Sequence, residues 1–388
     1  MRIAIIGGKL QGVEACYLAQ KASWQVLLID KDEDIPARAL CDEFVQCDVI
    51  KEDNKCLNIL KESDVILPAM ENLAALQTIS RYAIQLGIPF VYDQGAYQVS
   101  GSKIISNQVF LSTGTPLPRL YPEGRLPWVV KPASSSGSAG VMKIKNEAEF
   151  KKLQEKPGFP EQWVVQEFVT GPSYSIEVIG FAGEYQVYQV TELEMDEQYD
   201  CKRVWAPSHL DQALVKEFNH IGLTLARHLN LQGIMDVEVI LHEGQLKVLE
   251  IDARIPSQTP TVVYQSTGVN LVEILGQSFT QGKLQKISME EQEYQGAVYE
   301  HIQVAYKRLK VCGEHIMSAV GSLKLIPDFF GGSEGITNYS PGKKEWVATL
   351  INRGKTREEA WQKRCLVIER IMKEADITTY IDLSPEEE

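Results

Sequence analysis

The sequence predicts a chain of several domains, α/β in its first part and α+β in the rest. Three observations carry that reading. Short apolar runs alternate with helix-length stretches through residues 1–95. At residues 96–170 the pattern is broken by Leu117, Pro118 and Pro127, and a run of small residues follows a strand. Beyond residue 171, longer strands of alternating polarity surround one long helical stretch, and 388 residues exceed what one ordinary core holds.

Arg2–Ile6 reads as a strand, Gly7-Gly8 as a turn and residues 11–21 as a helix. Gln25–Asp30 is the next strand. A helix at 55–61 and strands at 64–67 and 89–92 continue the alternation. Buried strands spaced by helices imply a parallel sheet with helices on its faces. In the second part, residues 128–131 form a strand that enters the small-residue loop 134–140. A helix at 146–153 and a strand at 163–168 follow. In the third, strands at 175–180 and 185–191 precede a helix over Gln212–Leu229. Strands at 235–241 and 245–251 are then joined by the tight turn His242-Glu243-Gly244. Strands at 297–305 and 346–351 and an amphipathic helix over Arg357–Glu374 complete the chain. The domain boundaries expected from this pass are 1–95, 96–170 and 171–388.

Composition narrows the class. Hydrophobic residues at 44% and charged residues at 23% are ordinary for a soluble globular protein. The longest apolar runs have strand length, far below a membrane span, and Met1-Arg2 leads straight into a strand rather than an export signal. A cytoplasmic enzyme with no membrane partner is expected. A net charge of −13 argues against nucleic acid as a partner. The seven cysteines form no C-x-x-C pair and are expected to be incidental thiols, neither zinc ligands nor disulfides. Oligomeric state is left open, a homodimer included.

Gly7-Gly8-Lys9-Leu10-Gln11-Gly12 follows a strand and opens a helix, and Asp30 ends the next strand. A dinucleotide-binding turn has that placement, but its glycines are spaced G-x-G-x-x-G and these are G-G-x-x-x-G. The phosphate-loop pattern fails as well, because Val13-Glu14 follows Gly12. Taken alone, the segment points weakly to a nicotinamide-dependent dehydrogenase.

Beyond residue 100 the residues required for ATP chemistry appear in order. Lys103 opens a helix and Lys131 ends an apolar strand. A lysine is a compact point charge suited to phosphate oxygens. Ser134 to Val141 follows Lys131, and small residues there (Ser136, Gly137, Ser138, Ala139) let backbone approach phosphate closely. Gln166, Glu167, Phe168 and Val169 end a strand before the break Thr170-Gly171-Pro172, where backbone groups can read an adenine edge. The most specific feature is Glu238 with Glu250 and Asp252. The last two lie two apart on a strand and share a face, and the hairpin turn brings Glu238 alongside. Three carboxylates on one face repel unless a cation sits among them, and oxygen ligands suit Mg²⁺. Arg254 continues the same side, able to contact a transferring phosphate.

These motifs resemble those of the ATP-grasp ligases, over essentially the whole length. The resemblance implies an ATP-grasp fold with a Rossmann-like N-terminal domain, a small lid domain and a large C-terminal lobe. It implies ATP and Mg²⁺, two ions expected, as cofactors. Lys103 and Lys131 match the phosphate-contacting lysines, Ser134 to Val141 the mobile loop, and Gln166 to Val169 the adenine hinge. Glu250-Ile251-Asp252-Ala253-Arg254 is similar to the family's E-x-N-x-R metal motif, with Glu238 as the upstream ligand. It departs from the pattern at Asp252, where Asn is usual, and at Ser173, where a ribose-binding Glu often stands.

The implied activity is transfer of the γ-phosphate to a carboxylate, then attack by an amine. Met1 to Gly12 and Gly233 to Thr261 are similar to a branch of the family that joins two cationic diamino acids. Buried acids should then pair the ammonium groups. Glu177 and Asp236 are candidates for the acid substrate; Gln11, Glu71 and Asn72 are candidates for the amine substrate. Competing readings are another ATP-grasp ligase, a purine-pathway-like carboxylase, the dehydrogenase, or a nucleotide-binding regulator without catalysis.

Overall fold

The apolar run Arg2–Ile6 (β1) lies inside a four-stranded parallel sheet in the computed structural model, which describes all residues except 135–139, 156–157, 160–161, 290–293 and 386–388. Helix α1 (Leu10–Lys21), β2 (Gln25–Asp30), β3 (Glu43–Gln46), α2 (Asp53–Leu60), β4 (Val65–Pro68) and α3 (Leu73–Leu86) follow. The strand order is β3-β2-β1-β4, with Ile3 opposite both Val26 and Val65. The expected strand at 89–92 contracts to one bridge, Ile66 with Phe90. The chain leaves β1 through Gly7 at φ +107°, where a side chain would stand 2.5 Å from the Ala69 carbonyl oxygen. Close approach of two backbones, not a nucleotide, accounts for that glycine.

Cys47 and Cys56 are joined as a disulfide, which corrects the expectation that all seven cysteines are incidental thiols. The end of β3 and α2 bring their Cα atoms to 6.8 Å, inside the reach of such a bond, and both side chains are buried in one core. Their nine-residue spacing matches no redox or metal motif, so pattern reading passed over them.

Next come α4 (Gln94–Ser100), α5 (Lys103–Thr113), β5 (Trp128–Pro132), β6 (Met142–Ile144), α6 (Glu147–Gln154) and β7 (Trp163–Glu167). The strands pair antiparallel in the order β6-β5-β7 around Trp128, Val130, Phe150 and Val165. Asn146 caps α6 by accepting the Glu149 N–H at 3.0 Å. Then follow β8 (Ser173–Phe181), β9 (Glu184–Val187), β10 (Thr191–Met195), β11 (Cys201–Ala206), α7 (Gln212–Leu229), β12 (Gly233–His242) and β13 (Gln245–Asp252). The single strand expected at 185–191 is therefore two, β9 and β10. The β12–β13 turn carries Glu243 at φ +49° and Gly244 at φ +78°, the left-handed pair that matches strand twist. The chain ends with α8 (Thr259–Thr267), α9 (Leu271–Gln281), β14 (Gly296–Ala305), β15 (Arg308–Val311), α10 (His315–Ser318), β16 (Lys324–Pro327), β17 (Glu334–Thr337), β18 (Glu345–Gly354), α11 (Arg357–Glu374) and β19 (Thr379–Asp382).

Two compact units result. One comprises Met1–Tyr92, Tyr188–Ser208 and Arg254–Glu388; the other comprises Asp93–Val187 and His209–Ala253. Besides its parallel sheet, the first unit holds an antiparallel array in the order β10-β11-β14-β18-β17-β16, with α11 against β14 and β18. The second holds β6-β5-β7 and the antiparallel set β9-β8-β12-β13.

A buried charge cluster ties the end of the chain into the first unit. Glu300 on β14, wholly buried, accepts two 2.8 Å bonds from Arg364 of α11 and also pairs Arg203 of β11. Arg203 reaches Asp382 of β19 at 2.7 Å, and Lys202 meets the same carboxylate at 2.7 Å. Burial pushes the Asp382 carboxyl up, but Arg203 and Lys202 outweigh it and hold it at about 2. A depressed carboxyl stabilises fully above its unfolded range near pH 4 and loses that contribution as pH falls towards 2. Glu300→Ala leaves two buried guanidiniums without their shared anion and is expected to cost about 3–5 kcal/mol, read from urea unfolding at pH 7. The cost of Asp382→Asn, measured the same way, should shrink steadily from pH 4 down to pH 2.

Candidate active site

The hairpin and its neighbour β8 set the geometry of the acidic face. Glu238 stands opposite Glu250 and Asp236 opposite Asp252 across β12–β13. On the other side of β12, Asp236 faces Glu177 and Glu238 faces Ser175. Side chains directly opposite, and those two apart on one strand, share a face. One face therefore carries two adjacent rows: Ser175, Glu238 and Glu250, then Glu177, Asp236 and Asp252. The register slips between Glu238 and Val239, a bulge beside the first row, and pairing resumes with Val239 opposite Val248. Glu177 is wholly buried and Asp236 is 5% exposed.

Among the described residues, no three of His, Cys, Asp or Glu close around one point as a ready metal cage. Mg²⁺ binds through one or two carboxylates, with waters and phosphate oxygens completing its shell. The donor set on the face is oxygen alone, so the chemistry fits the ion that the ATP-grasp resemblance implies.

Two lysines meet this face. Lys103 opens α5, its N–H donating to the Ala133 carbonyl at 2.8 Å, and its Nζ lies 3.3 Å from Glu250 Oε2. Lys131 sits on β5 opposite Val164 of β7. A narrow cleft is lined by Lys103, Asn107, Lys131, Gln166 and Glu250, residues that span almost 150 positions of sequence. Burial lowers the Lys131 ammonium below the ordinary lysine range; Glu250 and Glu238 pull it back up, and Lys103 opposes them.

The hinge uses much of its own backbone. The Glu167 N–H donates to the Arg119 carbonyl at 2.8 Å, and the Phe168 N–H to the Pro127 carbonyl at 2.9 Å. The Glu167 carboxylate accepts the Arg119 N–H at 2.9 Å, and Lys143 lies 3.9 Å above the Phe168 ring. Gln166 is buried, and so is Val169. Of the loop candidates, Ser136, Gly137, Ser138 and Ala139 lie outside the described residues.

In the first unit, a cavity of about 640 Å³ opens at the carboxyl ends of β1, β2 and β4. Gln11, Asp30, Glu71 and Asn72 line it. Gln11 Nε2 donates to Glu71 Oε1 at 2.9 Å, and Arg254 Nε lies 2.8 Å from the same oxygen. Asn72 accepts the Ala75 N–H at 3.0 Å and so caps α3, a structural duty. Asp30 accepts the Gly8 N–H at 2.8 Å, which spends one of its oxygens on the glycine turn itself.

Sequence reasoning passed over Gln258 and Glu314. Gln258 has φ +73° and ψ −60°, and the Thr259 N–H reaches back to the Ser257 carbonyl at 2.9 Å, a strained γ-turn soon after Arg254. Its Nε2 donates to Glu314 at 2.9 Å. Burial raises the Glu314 carboxyl, Ser257 and Gln258 lower it, Asp200 raises it and Arg254 lowers it. No sequence pattern singles out Gln258, and nothing near Glu314 signals its partner more than fifty residues away.

Acid rows, buried lysine and hinge together define an ATP-grasp domain, and a model described as "ATP-grasp domain" matches residues 102–258. Biotin carboxylase from Campylobacter jejuni superposes with a TM-score of 0.73 over 95% of this chain and 91% of that one, at 14% identity. An N5-carboxyaminoimidazole ribonucleotide synthetase in complex with ADP gives 0.69 over 96% and 97%, at 16% identity. At those identities the likeness is one of fold. In sequence, the chain is 40% identical to a 3-methyl-D-ornithine–L-lysine ligase of Methanosarcina acetivorans, over 93% of this chain and 95% of the relative. The relative of the same name in Methanosarcina barkeri is 38% identical over 94% and 95%. The chain belongs to this family within the ATP-grasp ligases: it is an ATP-dependent, ADP-forming ligase that makes a C–N bond. Among the described residues no helix is long and apolar enough to cross a membrane.

Lys131→Met replaces a buried ammonium by an apolar chain of similar length. It is expected to raise the thermal midpoint of the ligand-free protein by about 1–3 °C, while calorimetric titration shows ATP binding lost.

Proposed function

We propose that this ligase joins the carboxylate of 3-methyl-D-ornithine to the ε-amine of L-lysine, a step of pyrrolysine biosynthesis. The observation that carries the reading is 40% identity to a relative of that name over nearly the full length of both chains. The acidic face supports it, since two cationic diamino acids require buried anions to replace their hydration. No comparable need arises for bicarbonate, the substrate of a carboxylase.

In this reading Glu238, Glu250 and Asp252 would hold Mg²⁺, two ions in all, which would supply charge neutralisation to the phosphates. Lys103 and Lys131 take phosphate oxygens, under the loop that contains Ser136, Gly137, Ser138 and Ala139. Gln166 to Val169 receive adenine. The Glu167 and Phe168 N–H groups are already committed within the fold, so the Val169 N–H and hinge carbonyls do the reading. Residues 1–95, 96–170 and 171–388 act as acceptor domain, lid and catalytic lobe.

The carboxylate oxygen attacks the γ-phosphorus, and the bond to the β,γ-bridging oxygen breaks, giving acyl phosphate and ADP. The amine, having lost a proton, attacks the acyl carbon, and inorganic phosphate leaves with the C–O pair. Activation is required because a carboxylate is a poor electrophile. Arg254 offsets charge on the phosphoryl group. Glu177 and Asp236 pair the ammonium groups of the acid substrate. Gln11 and Glu71 hold the amine substrate, with Asn72 beside them.

With Mg·ATP, D-ornithine and L-lysine, the expected result is ADP together with a product whose mass is the sum of the two amino acids less water. ADP with a different acid and amine would retain the ligase and remove these substrates; dependence on bicarbonate would favour a carboxylase. Glu250→Gln should abolish turnover with unchanged circular dichroism. Glu71→Ala should raise the KM for L-lysine, and an unchanged KM would remove that placement.

A further inference from the structure

Glu71 touches two groups that belong to different parts of the reaction. Its Oε1 accepts a bond from Gln11 Nε2 at 2.9 Å and lies 2.8 Å from Arg254 Nε. Its side chain is 36% exposed and lines the 640 Å³ cavity, whereas Arg254 is 18% exposed. Arg254 is therefore drawn to the carboxylate that the amine substrate is proposed to use. The strained turn at Gln258 fixes the chain that follows Arg254.

We propose that Glu71 is a positioning residue that restrains Arg254 while the cavity is empty and yields it when a cationic amine binds. The inference rests on the roles proposed above for Glu71 and Arg254. An ammonium arriving at Glu71 neutralises its carboxylate and weakens its hold on the guanidinium, which then serves the phosphoryl group. The coupling is reciprocal: an Arg254 engaged elsewhere leaves Glu71 better able to bind the amine. The chemical consequence is economy of ATP. An acyl phosphate formed before the amine arrives is lost to water, which attacks it and returns the acid and inorganic phosphate. A restrained Arg254 slows its formation until the acceptor is in place.

The test is ADP release from the full chain with Mg·ATP and D-ornithine, without L-lysine. Glu71→Gln keeps the shape and removes the charge. It is expected to raise amine-independent ADP release by roughly two- to fivefold over the wild type, the range of a partly exposed ion pair. The ratio of amide to ADP with both substrates present should fall. Amine-independent ADP release in Glu71→Gln that is unchanged or reduced overturns the proposal. A raised lysine KM without uncoupling would keep the substrate placement and sink this inference. Uncoupling with an unchanged lysine KM would keep the restraint on Arg254 and remove the substrate placement.

Discussion

Like charges side by side on adjacent strands are the constraint from which the rest of the site follows. Glu177, Asp236 and Asp252 form one row, and Glu238 faces Glu250 in the next. Directly opposed carboxylates on a sheet destabilise it, more so when buried. A sheet face built this way persists because cations meet it. Lys103 is already placed against Glu250, and Lys131 is held where burial works against its charge. In the proposed reaction, Mg²⁺ and the ammonium groups of the substrates add further positive charge to this face. Binding and fold stability are thus linked through one surface.

Much of that surface was legible in the sequence because its cause is local. The spacing of Glu250 and Asp252 puts both on one face whatever the remainder of the chain does. The turn His242-Glu243-Gly244 then decides which residue of the preceding strand lies opposite, and the structure pairs Glu238 with Glu250. Gln212–Leu229 was readable for a similar reason, a long amphipathic repeat closed by Asn230 in the left-handed region at φ 51°.

What escaped the sequence depends on segments far apart in the chain. Glu300, Arg203, Arg364 and Asp382 show no shared pattern, and each alone reads as a surface charge. Only the pairing of β11 with β14 and the docking of α11 place them together. The meeting of Glu71 with Arg254 across 183 positions, 254 less 71, belongs to the same class, whereas Cys47 and Cys56, nine positions apart, escaped because their spacing matches no motif. Local errors had a different origin. Residues 188–190 are apolar or neutral and β-compatible, so one strand was read where the chain passes from β9 to β10. Residues 89–92 have the composition of a strand but find only one partner, Ile66.

The departure at Asp252 gains meaning from the register. In the usual motif an amide at this position would offer an oxygen without charge. Here the side chain stands opposite Asp236, which in turn stands opposite Glu177, so the extra charge falls in the row proposed for the substrate and not only beside the metal. A neutral or anionic substrate would make that row more costly than an amide does. A cationic one makes it favourable, because the ammonium finds the carboxylates already gathered and desolvated by the fold. In the proposed reading, Asp252 therefore favours a positively charged acid substrate. Metal and substrate would then share one acidic sheet face, whose two rows lie next to each other.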